Sequence, residues 1–283
     1  MKFKFKQPER IEFKAEGHSY TSTSGNDYIP VTSLIARYYK PFDSTYWSTY
    51  KAVKDVMNNA GIFYRYKAIA GGWDKVPQYY HANKDSLDKV LHLQIKERIQ
   101  HYLDSWNEER EYAAALGNKA HSDLEGLVVS AKKIDLGDKK IADVSSADLL
   151  DLQGFGMGGN QIYPELLLWN ERYRVAGQAD IVERRGMEVV IKDYKTCKKI
   201  EFESFMDAHM FEPLEELPDT NYSKFTIQLS TYAWMLEESG YRVTGLVVQH
   251  IDRITGKHIK DYPMAYRKDL VTKMLEHYDN TRS

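Results

Sequence analysis

The pattern of hydrophobic and polar positions divides the chain into a mainly helical first stretch and a strand-bearing second stretch. Leu87, Val90, Leu91, Ile95, Ile99 and Leu103 recur at helical spacing and predict a long amphipathic helix over Ser86–Asn107. A second long helix is predicted over Glu111–Ala131. Earlier, Pro30-Val-Thr-Ser-Leu-Ile opens a short helix with Thr32 or Ser33 as candidate cap, and Pro41-Phe-Asp-Ser ends it and caps another over about Thr45–Asn58. The first 30 residues read as short strands and turns, with Ile11–Ala15 and His18–Thr21 flanking Glu16-Gly17. Residues 132–160 are polar and glycine-rich and read as a connection with one short helix at Ser145–Leu152. From Gln161 the period changes. A strand is predicted over Gln161–Val175, an alternating strand over Gly177–Val182, a turn over Glu183–Gly186 and a β-branched strand over Glu188–Ile191. A short helix at Glu203–His209, a helix over Asn221–Ser239 ended by Gly240, a strand over Arg242–Asp252 and a helix over Arg267–Tyr278 complete the reading.

The predicted hairpin carries chemistry. Asp180 falls on its first strand, and Asp193 and Lys195 fall at the end of its second. Side chains alternate faces along a strand, so Asp193 and Lys195 point the same way, and a hairpin brings Asp180 beside them. Two hard carboxylates with room for water suit Mg2+ or Mn2+, and a neighbouring lysine can orient or deprotonate a water. Taken alone, a strand-end Asp-x-Lys is more often a solvated ion pair than a site, so its surroundings decide.

Composition then narrows the field. Hydrophobic residues at 42% and aromatics at 13% describe a globular protein, and a net charge of −2 argues against a histone-like or sliding binder while leaving a local basic groove open. The single cysteine, Cys197, excludes a disulfide framework, a four-cysteine zinc site and a cysteine-ligated iron–sulfur cluster. No apolar run long enough for a membrane span is present, and the expectation is a soluble cytoplasmic protein. Lys2, Lys4 and Lys6 alternate with Phe3 and Phe5 as on a charged edge strand. Tyr38, Tyr39, Phe42, Tyr46, Trp47 and Tyr50 could stack on bases, but their helical spacing favours core. Lys198 and Lys199, just past the second strand, suit either a solvated strand end or one that faces phosphates. Residues 201–219 hold seven acidic residues and no Lys or Arg, and read as an insertion over the sheet edge. Gly154–Gly159 matches a dinucleotide-binding glycine pattern in form only, since no strand precedes it and Tyr163-Pro164 follows where a helix should start.

Four further positions gain meaning from their order: His121 on the second long helix, Glu165 on the first strand after the connection, and Gln228 and Tyr232 four residues apart on one helix face. Helix (His121), strand (Glu165), strand (Asp180), strand (Asp193, Lys195), helix (Gln228, Tyr232), strand is an αβββαβ order. With these residues it resembles the PD-(D/E)XK nuclease superfamily, and within it the RecB-like branch that includes lambda-exonuclease-like and phage-encoded exonucleases. The resemblance implies a mixed α/β (α+β) fold: a restriction-endonuclease-like core over residues 111–283 with the acidic insertion at 201–219, behind an N-terminal, mainly helical extension over residues 1–110. It implies a metal-dependent DNA exonuclease of phage recombination, replication or repair; an endonuclease of the same fold and a DNA-binding module without catalysis are the alternatives. Asp180 and Asp193 would bind Mg2+ or Mn2+, with the Tyr194 carbonyl and His121, and Glu165 would bind a second ion or support the ligands of the first. Lys195 would hold the attacking water or the phosphate. Gln228, Tyr232, Lys198 and Lys199 would position DNA. No iron–sulfur cluster is implied, because the cysteines of the cluster-bearing branch are missing. DNA is the expected partner, alongside a phage recombination or single-strand-binding protein. The motif here is D-x-K, one methylene shorter than the commoner E-x-K.

Overall fold

The computed structural model describes residues 11–14, 17, 19–132 and 161–282, except for the side chains of residues 120–132 and 161. The lysine-bearing strand at 2–6, the Glu16 turn position, the short helix at Ser145–Leu152 and the Gly154–Gly159 loop lie outside the described residues. The chain forms two compact units, one of residues 1–40 with 116–283 and one of residues 41–115. The expected boundary at residue 110 therefore moves. The first forty residues contribute strands to the sheet, and residue 110 lies inside a helix.

The larger unit is built on an eight-stranded sheet. Strands β1 (Ile11–Lys14), β2 (Ser19–Ser22) and β3 (Asp27–Pro30) form an antiparallel meander. β3 then runs parallel to the start of β5 (Val175–Arg185), pairing Ile29 with Val175 and Pro30 with Ala176. β4 (Gln161–Asn170) lies antiparallel along β5, and β6 (Glu188–Lys195) pairs with the far end of β5. β7 (Arg242–Ile251) runs parallel to β6, and β8 (His258–Pro263) closes the edge.

Helix α1 (Val31–Ile35) follows β3, and α2 (Ser44–Asn59), α3 (Phe63–Ala70), α4 (Val76–Asn83) and the N-terminal stretch of α5 (Lys89–Lys132) make the smaller unit. Its core is Ala52, Val53, Met57, Phe63, Val76, Tyr80 and Ile95 with their neighbours. Asp43 caps α2 by accepting the Tyr46 N–H at 2.8 Å. Two predicted helices are here one: α5 runs unbroken through Asn107-Glu-Glu-Arg, which contains neither glycine nor proline.

Helix α6 (Asn221–Glu238) is the element on which the larger core is assembled. Residues 226–236 are all buried, as expected of a helix enclosed on nearly every side. Its hydroxyls are satisfied locally. Thr226 and Thr231 donate to the carbonyls four residues back, at 2.9 and 2.8 Å, and Ser230 accepts the Arg267 N–H at 3.0 Å. Thr220 caps the helix by accepting the Ser223 N–H at 3.1 Å. Helix α7 (Lys268–Thr281) packs beside it through Leu270, Val271, Met274 and Leu275. On β4, Leu166 and Leu168 join this core, while Leu167 and Trp169 join a second cluster with Ile11, Tyr20 and Tyr28 of β1–β3. Both faces of the middle of the sheet are thus covered.

Local departures from expectation have simple causes. The strand predicted over Gln161–Val175 breaks at a tight turn, where Asn170 accepts the Tyr173 N–H at 3.1 Å and Arg174 takes a left-handed φ of 51°. The hairpin turn is shorter than expected, because β5 continues to Arg185 and only Gly186-Met187 turn, with Gly186 at φ 62°. The helix expected at Glu203–His209 is a single 3-10 turn at Phe205–Asp207. The acidic segment 201–219 is anchored by buried Met210 and Leu214. Among the described residues no helix is long and apolar enough to cross a membrane. The order α5–β4–β5–β6–α6–β7 is the αβββαβ order of the expected mixed α/β core.

Candidate active site

β5 has different partners along one of its edges. At its start that edge pairs with β3, and at its end with β6. The β5–β6 ladder runs from Arg185↔Glu188 to Ile181↔Lys192 and stops, while β6 stays paired with β7 as far as Lys195↔His250. The ladder between β5 and β6 therefore opens immediately before Asp180 and Asp193. Continuing the register sets these two aspartates opposite each other and Lys195 on the same face, two residues on. On the other side of β5, the pairs Pro164↔Ile181 and Leu166↔Ala179 bracket Glu165 opposite Asp180. The three carboxylates thus lie in a row across three strands.

The row sits on a break in the strand alternation. Tyr163 and Leu166 on β4, like Ala179 and Val182 on β5, all belong to one core, which strict alternation would not allow. Glu165 absorbs the irregularity with a left-handed φ of 49°. Its carbonyl accepts a hydrogen bond from Gln178 Nε2 at 3.1 Å.

Asp180 is 7% exposed and Asp193 1%. Asp180 Oδ2 accepts the Tyr194 backbone N–H at 2.6 Å, so a side chain spans the gap where the ladder ends. Asp193 Oδ1 accepts from Gln228 Nε2 at 3.3 Å. Asp193 Oδ2 touches the Lys195 ammonium but makes no hydrogen bond of good geometry among the described residues. Burial, and then the nearby Asp193 carboxylate, push the Asp180 carboxyl well above the usual carboxylate range. Burial works against the Lys195 cation, but Asp193 and Asp180 outweigh it and hold the ammonium above its ordinary value. Lys195 is therefore a cation here, suited to holding an anion or a polarised water rather than to removing a proton. The Tyr194 phenol is pushed up to about 12 by burial, then by Asp180, Glu183 and Glu165.

α6 supplies the wall over this row. Phe225, Gln228 and Tyr232 lie at i, i+3 and i+7 on one face. The Lys195 ammonium sits 4.9 Å from the centre of the Phe225 ring. Gln228 Nε2 also donates to the Tyr232 hydroxyl at 3.2 Å, which ties the amide between tyrosine and aspartate. Burial, then Asp193, keep the Tyr232 phenol neutral by raising it well above its usual value. The ring is seated against Gly177, where a Cβ would stand 2.6 Å from Tyr232 Cε1. Below the site, buried His250 holds the Cys197 carbonyl at 2.7 Å. Asn221 at the start of α6 donates to the Lys199 carbonyl at 2.7 Å and accepts the Glu201 N–H at 2.8 Å. The chain leaving β6 is thereby fixed, with the Lys198 and Lys199 side chains exposed.

The structure thus brings together Asp180, Asp193, Lys195, Gln228 and Tyr232. It places Glu165 in line with the aspartates. Among the described residues no three His, Cys, Asp or Glu side chains form a group that could hold a metal ion by themselves. α5 passes over the end of β6, where a Cβ on Gly117 would meet Thr196 Oγ1 at 3.3 Å. His121 lies one helical turn further along, and its side chain is outside the described residues. The two buried, mutually repelling carboxylates, one of them paired with the Lys195 ammonium, form an oxygen donor pair that suits a hard divalent cation.

A family model of the PD-(D/E)XK nuclease superfamily matches residues 64–282, over three quarters of the chain. The chain belongs to that superfamily. Comparison with curated proteins gives no match. Among solved structures, a protein from Eubacterium rectale described as a putative exonuclease is similar at 14% identity and a TM-score of 0.32, over 60% of this chain and 64% of that one.

Three residues that support the cluster carry no sequence motif. Phe225 could have been found as the residue one turn before Gln228 on the same helix face. Gly177 signals a close approach only once its neighbour is known. His250 is paired in register with Lys195, which the sequence alone does not set.

Proposed function

We propose that this chain is a metal-dependent deoxyribonuclease of the exonuclease type, hydrolysing phosphodiester bonds at Asp180, Asp193 and Lys195. The observation that carries the reading is the pairing of a buried carboxylate with a lysine cation at the point where β5 and β6 separate, held from α6 by Gln228. Superfamily membership supports the reaction class. The motif order, together with the resemblance to the RecB-like branch, supports the exonuclease and a role in phage DNA recombination, replication or repair.

Asp180 and Asp193 would hold Mg2+ or Mn2+, with the Tyr194 carbonyl as a further oxygen. His121 on α5 is the proposed nitrogen ligand, and Glu165 serves a second ion or the surrounding hydrogen bonds. The chemistry such an ion would supply when bound is polarisation of the scissile phosphate and a lowered pKa of water. The chain's own residues do the rest. The Lys195 ammonium holds the attacking water or a non-bridging phosphate oxygen, and Phe225 beneath it limits where the cation can sit. Gln228 keeps Asp193 oriented and Tyr232 fixes the Gln228 amide. Lys198 and Lys199, exposed just past β6, meet the DNA backbone. A phage recombination or single-strand-binding protein is the proposed protein partner.

The test is cleavage of end-labelled linear DNA in EDTA, and then with Mg2+ or Mn2+ restored. Activity is expected only with the ion, and a better rate with Mn2+ than with Mg2+ would accord with an imidazole ligand. Full activity in EDTA would remove the metal assignment.

A further inference from the structure

The smaller unit, residues 41–115, shows more aromatic surface than its core uses. Its buried cluster is centred on Ala52, Val53, Met57, Phe63, Val76 and Ile95. Phe42, Trp47, Trp73 and Trp106 belong neither to that cluster nor to the residues packed against it. Phe42 is 65% exposed, and the three tryptophans are half-buried. They form a belt across α2. Trp47 and Trp73 have nearly parallel rings, 18° apart in tilt with centres 6.2 Å apart. Trp106 of α5 meets Phe42 edge-on at 5.2 Å. Between the two pairs, one helical turn on from Trp47, the exposed Lys51 places its ammonium 5.6 Å from the Trp106 ring and 5.4 Å from that of Tyr102. Lys67 stands in the same way, 5.4 Å from Tyr64, which is 78% exposed. Of the acids near the belt, Asp43 caps α2 and Asp55 accepts the Tyr102 hydroxyl, while exposed Asp74 follows Trp73 at the end of the belt away from Lys51.

Half-exposed aromatic rings with one ammonium group among them match one ligand chemistry. A single-stranded nucleic acid offers a flat base to each ring and a phosphate between successive bases. A duplex keeps its bases stacked on each other and cannot offer their faces to these rings. A second protein chain would use the rings but leave the lysines to be desolvated without an anion. We propose that residues 41–115 bind single-stranded nucleic acid, with bases stacked on Phe42, Trp47, Trp73 and Trp106 and a phosphate held by Lys51. The proposal deepens the nuclease reading by naming the strand state of the substrate.

Binding without cleavage separates the two. The full-length chain in EDTA is titrated with short dT and rU oligomers and with a duplex of equal length, read by tryptophan fluorescence and by anisotropy of a labelled oligomer. Of the five tryptophans, Trp47, Trp73 and Trp106 lie in this unit, whereas Trp169 and Trp234 are buried at 2% and 8% exposure, so quenching reports on the belt. The expected result is quenching by single strands, weaker binding of the duplex, and a roughly 5- to 100-fold loss of affinity in Phe42→Ser or Trp47→Leu. Phe42→Ser removes an exposed ring and should melt as the parent does. Lys51→Gln should lower the slope of log affinity against log salt by about 0.7, the value for one phosphate contact on a single strand. The dT and rU arms decide between DNA and RNA. Unchanged affinity in all three variants overturns the proposal, as does a preference for duplex. A change in sedimentation of the free chain without a change in oligomer affinity would make the belt a contact between copies and also overturn it. Failure of metal-dependent cleavage would leave these binding results standing.

Discussion

Gly177→Ala tests how the site is held while leaving Asp180, Asp193 and Lys195 themselves unchanged. The new methyl would stand 2.6 Å from Tyr232 Cε1, 3.1 Å from Cζ and 3.0 Å from the hydroxyl oxygen. Tyr232 is 2% exposed and lies on the enclosed helix α6, so its ring cannot swing aside as a flexible chain end would. Overpacking of this kind costs about 1–3 kcal/mol. Any rotation of the ring also lengthens the Gln228–Tyr232 bond, now 3.2 Å, a neutral interaction worth about 0.5–1.5 kcal/mol. The expected loss is thus about 1.5–4.5 kcal/mol, measured by urea unfolding. Cleavage should slow as well, because Gln228 orients Asp193. The decisive comparison is a double-mutant cycle with Tyr232→Leu. With the ring gone, the added methyl should do little harm, giving a coupling of about 1–3 kcal/mol. If the two losses simply add, the glycine is not there to seat the tyrosine and the reasoning fails.

Three further outcomes follow from the same geometry. The Asp180 carboxyl is raised above its unfolded value, so its contribution to stability is full below that value and is lost as pH rises through the folded one. In EDTA at neutral pH, Asp180→Asn should therefore melt higher than the parent, with the difference shrinking towards pH 4; a lower melting temperature for the variant would contradict the charge clash at this site. Gln228→Ala leaves buried Asp193 Oδ1 without its donor, and should cost about 1–3 kcal/mol of stability and slow turnover more than it raises KM; unchanged kinetics would reduce Gln228 to packing. Covalently closed circular DNA, single-stranded or duplex, should resist digestion where linear DNA of the same sequence is consumed, and rapid linearisation of the circles would favour the endonuclease reading while leaving the site assignments in place.

Much of the fold was legible because its signals are local. The alternation through β5, the β-branched run of β6 and the capped, apolar α6 are each contained in a short window. Alternation puts the aspartates and the lysine on two neighbouring strands, but not in register: the turn expected over Glu183–Gly186 is Gly186-Met187, and it is this tighter turn that carries Asp180 opposite Asp193. Features that depend on distant partners were hidden. β3 and β8 are short strands defined by whom they pair with, and the parallel docking of β3 on β5 spans about 145 residues of sequence. The fusion of two predicted helices into α5 went unread because its long polar middle resembles a linker. The left-handed Glu165 was signalled only in part: Pro164, which has no N–H for the ladder, marks an irregularity in the strand, but not that the residue after it takes a left-handed φ. The helical spacing of Tyr38, Tyr39, Phe42, Tyr46, Trp47 and Tyr50 favours core, and Tyr38 is indeed buried, but spacing does not show how small the core beneath residues 41–115 is, and Phe42 and Trp47 lie outside it.

The central claim is that the Asp180, Asp193 and Lys195 cluster hydrolyses phosphodiester bonds. Its most direct measurement is single-turnover cleavage of end-labelled linear DNA with Mn2+ by the parent and by Lys195→Ala, alongside the affinity of each for the same DNA in EDTA. The variant should keep its fold and most of its affinity and lose about 10²–10⁴-fold in rate, the usual worth of a side chain acting on the attacking water. A Lys195→Ala protein that cuts at a near-parental rate would place the chemistry elsewhere on the chain.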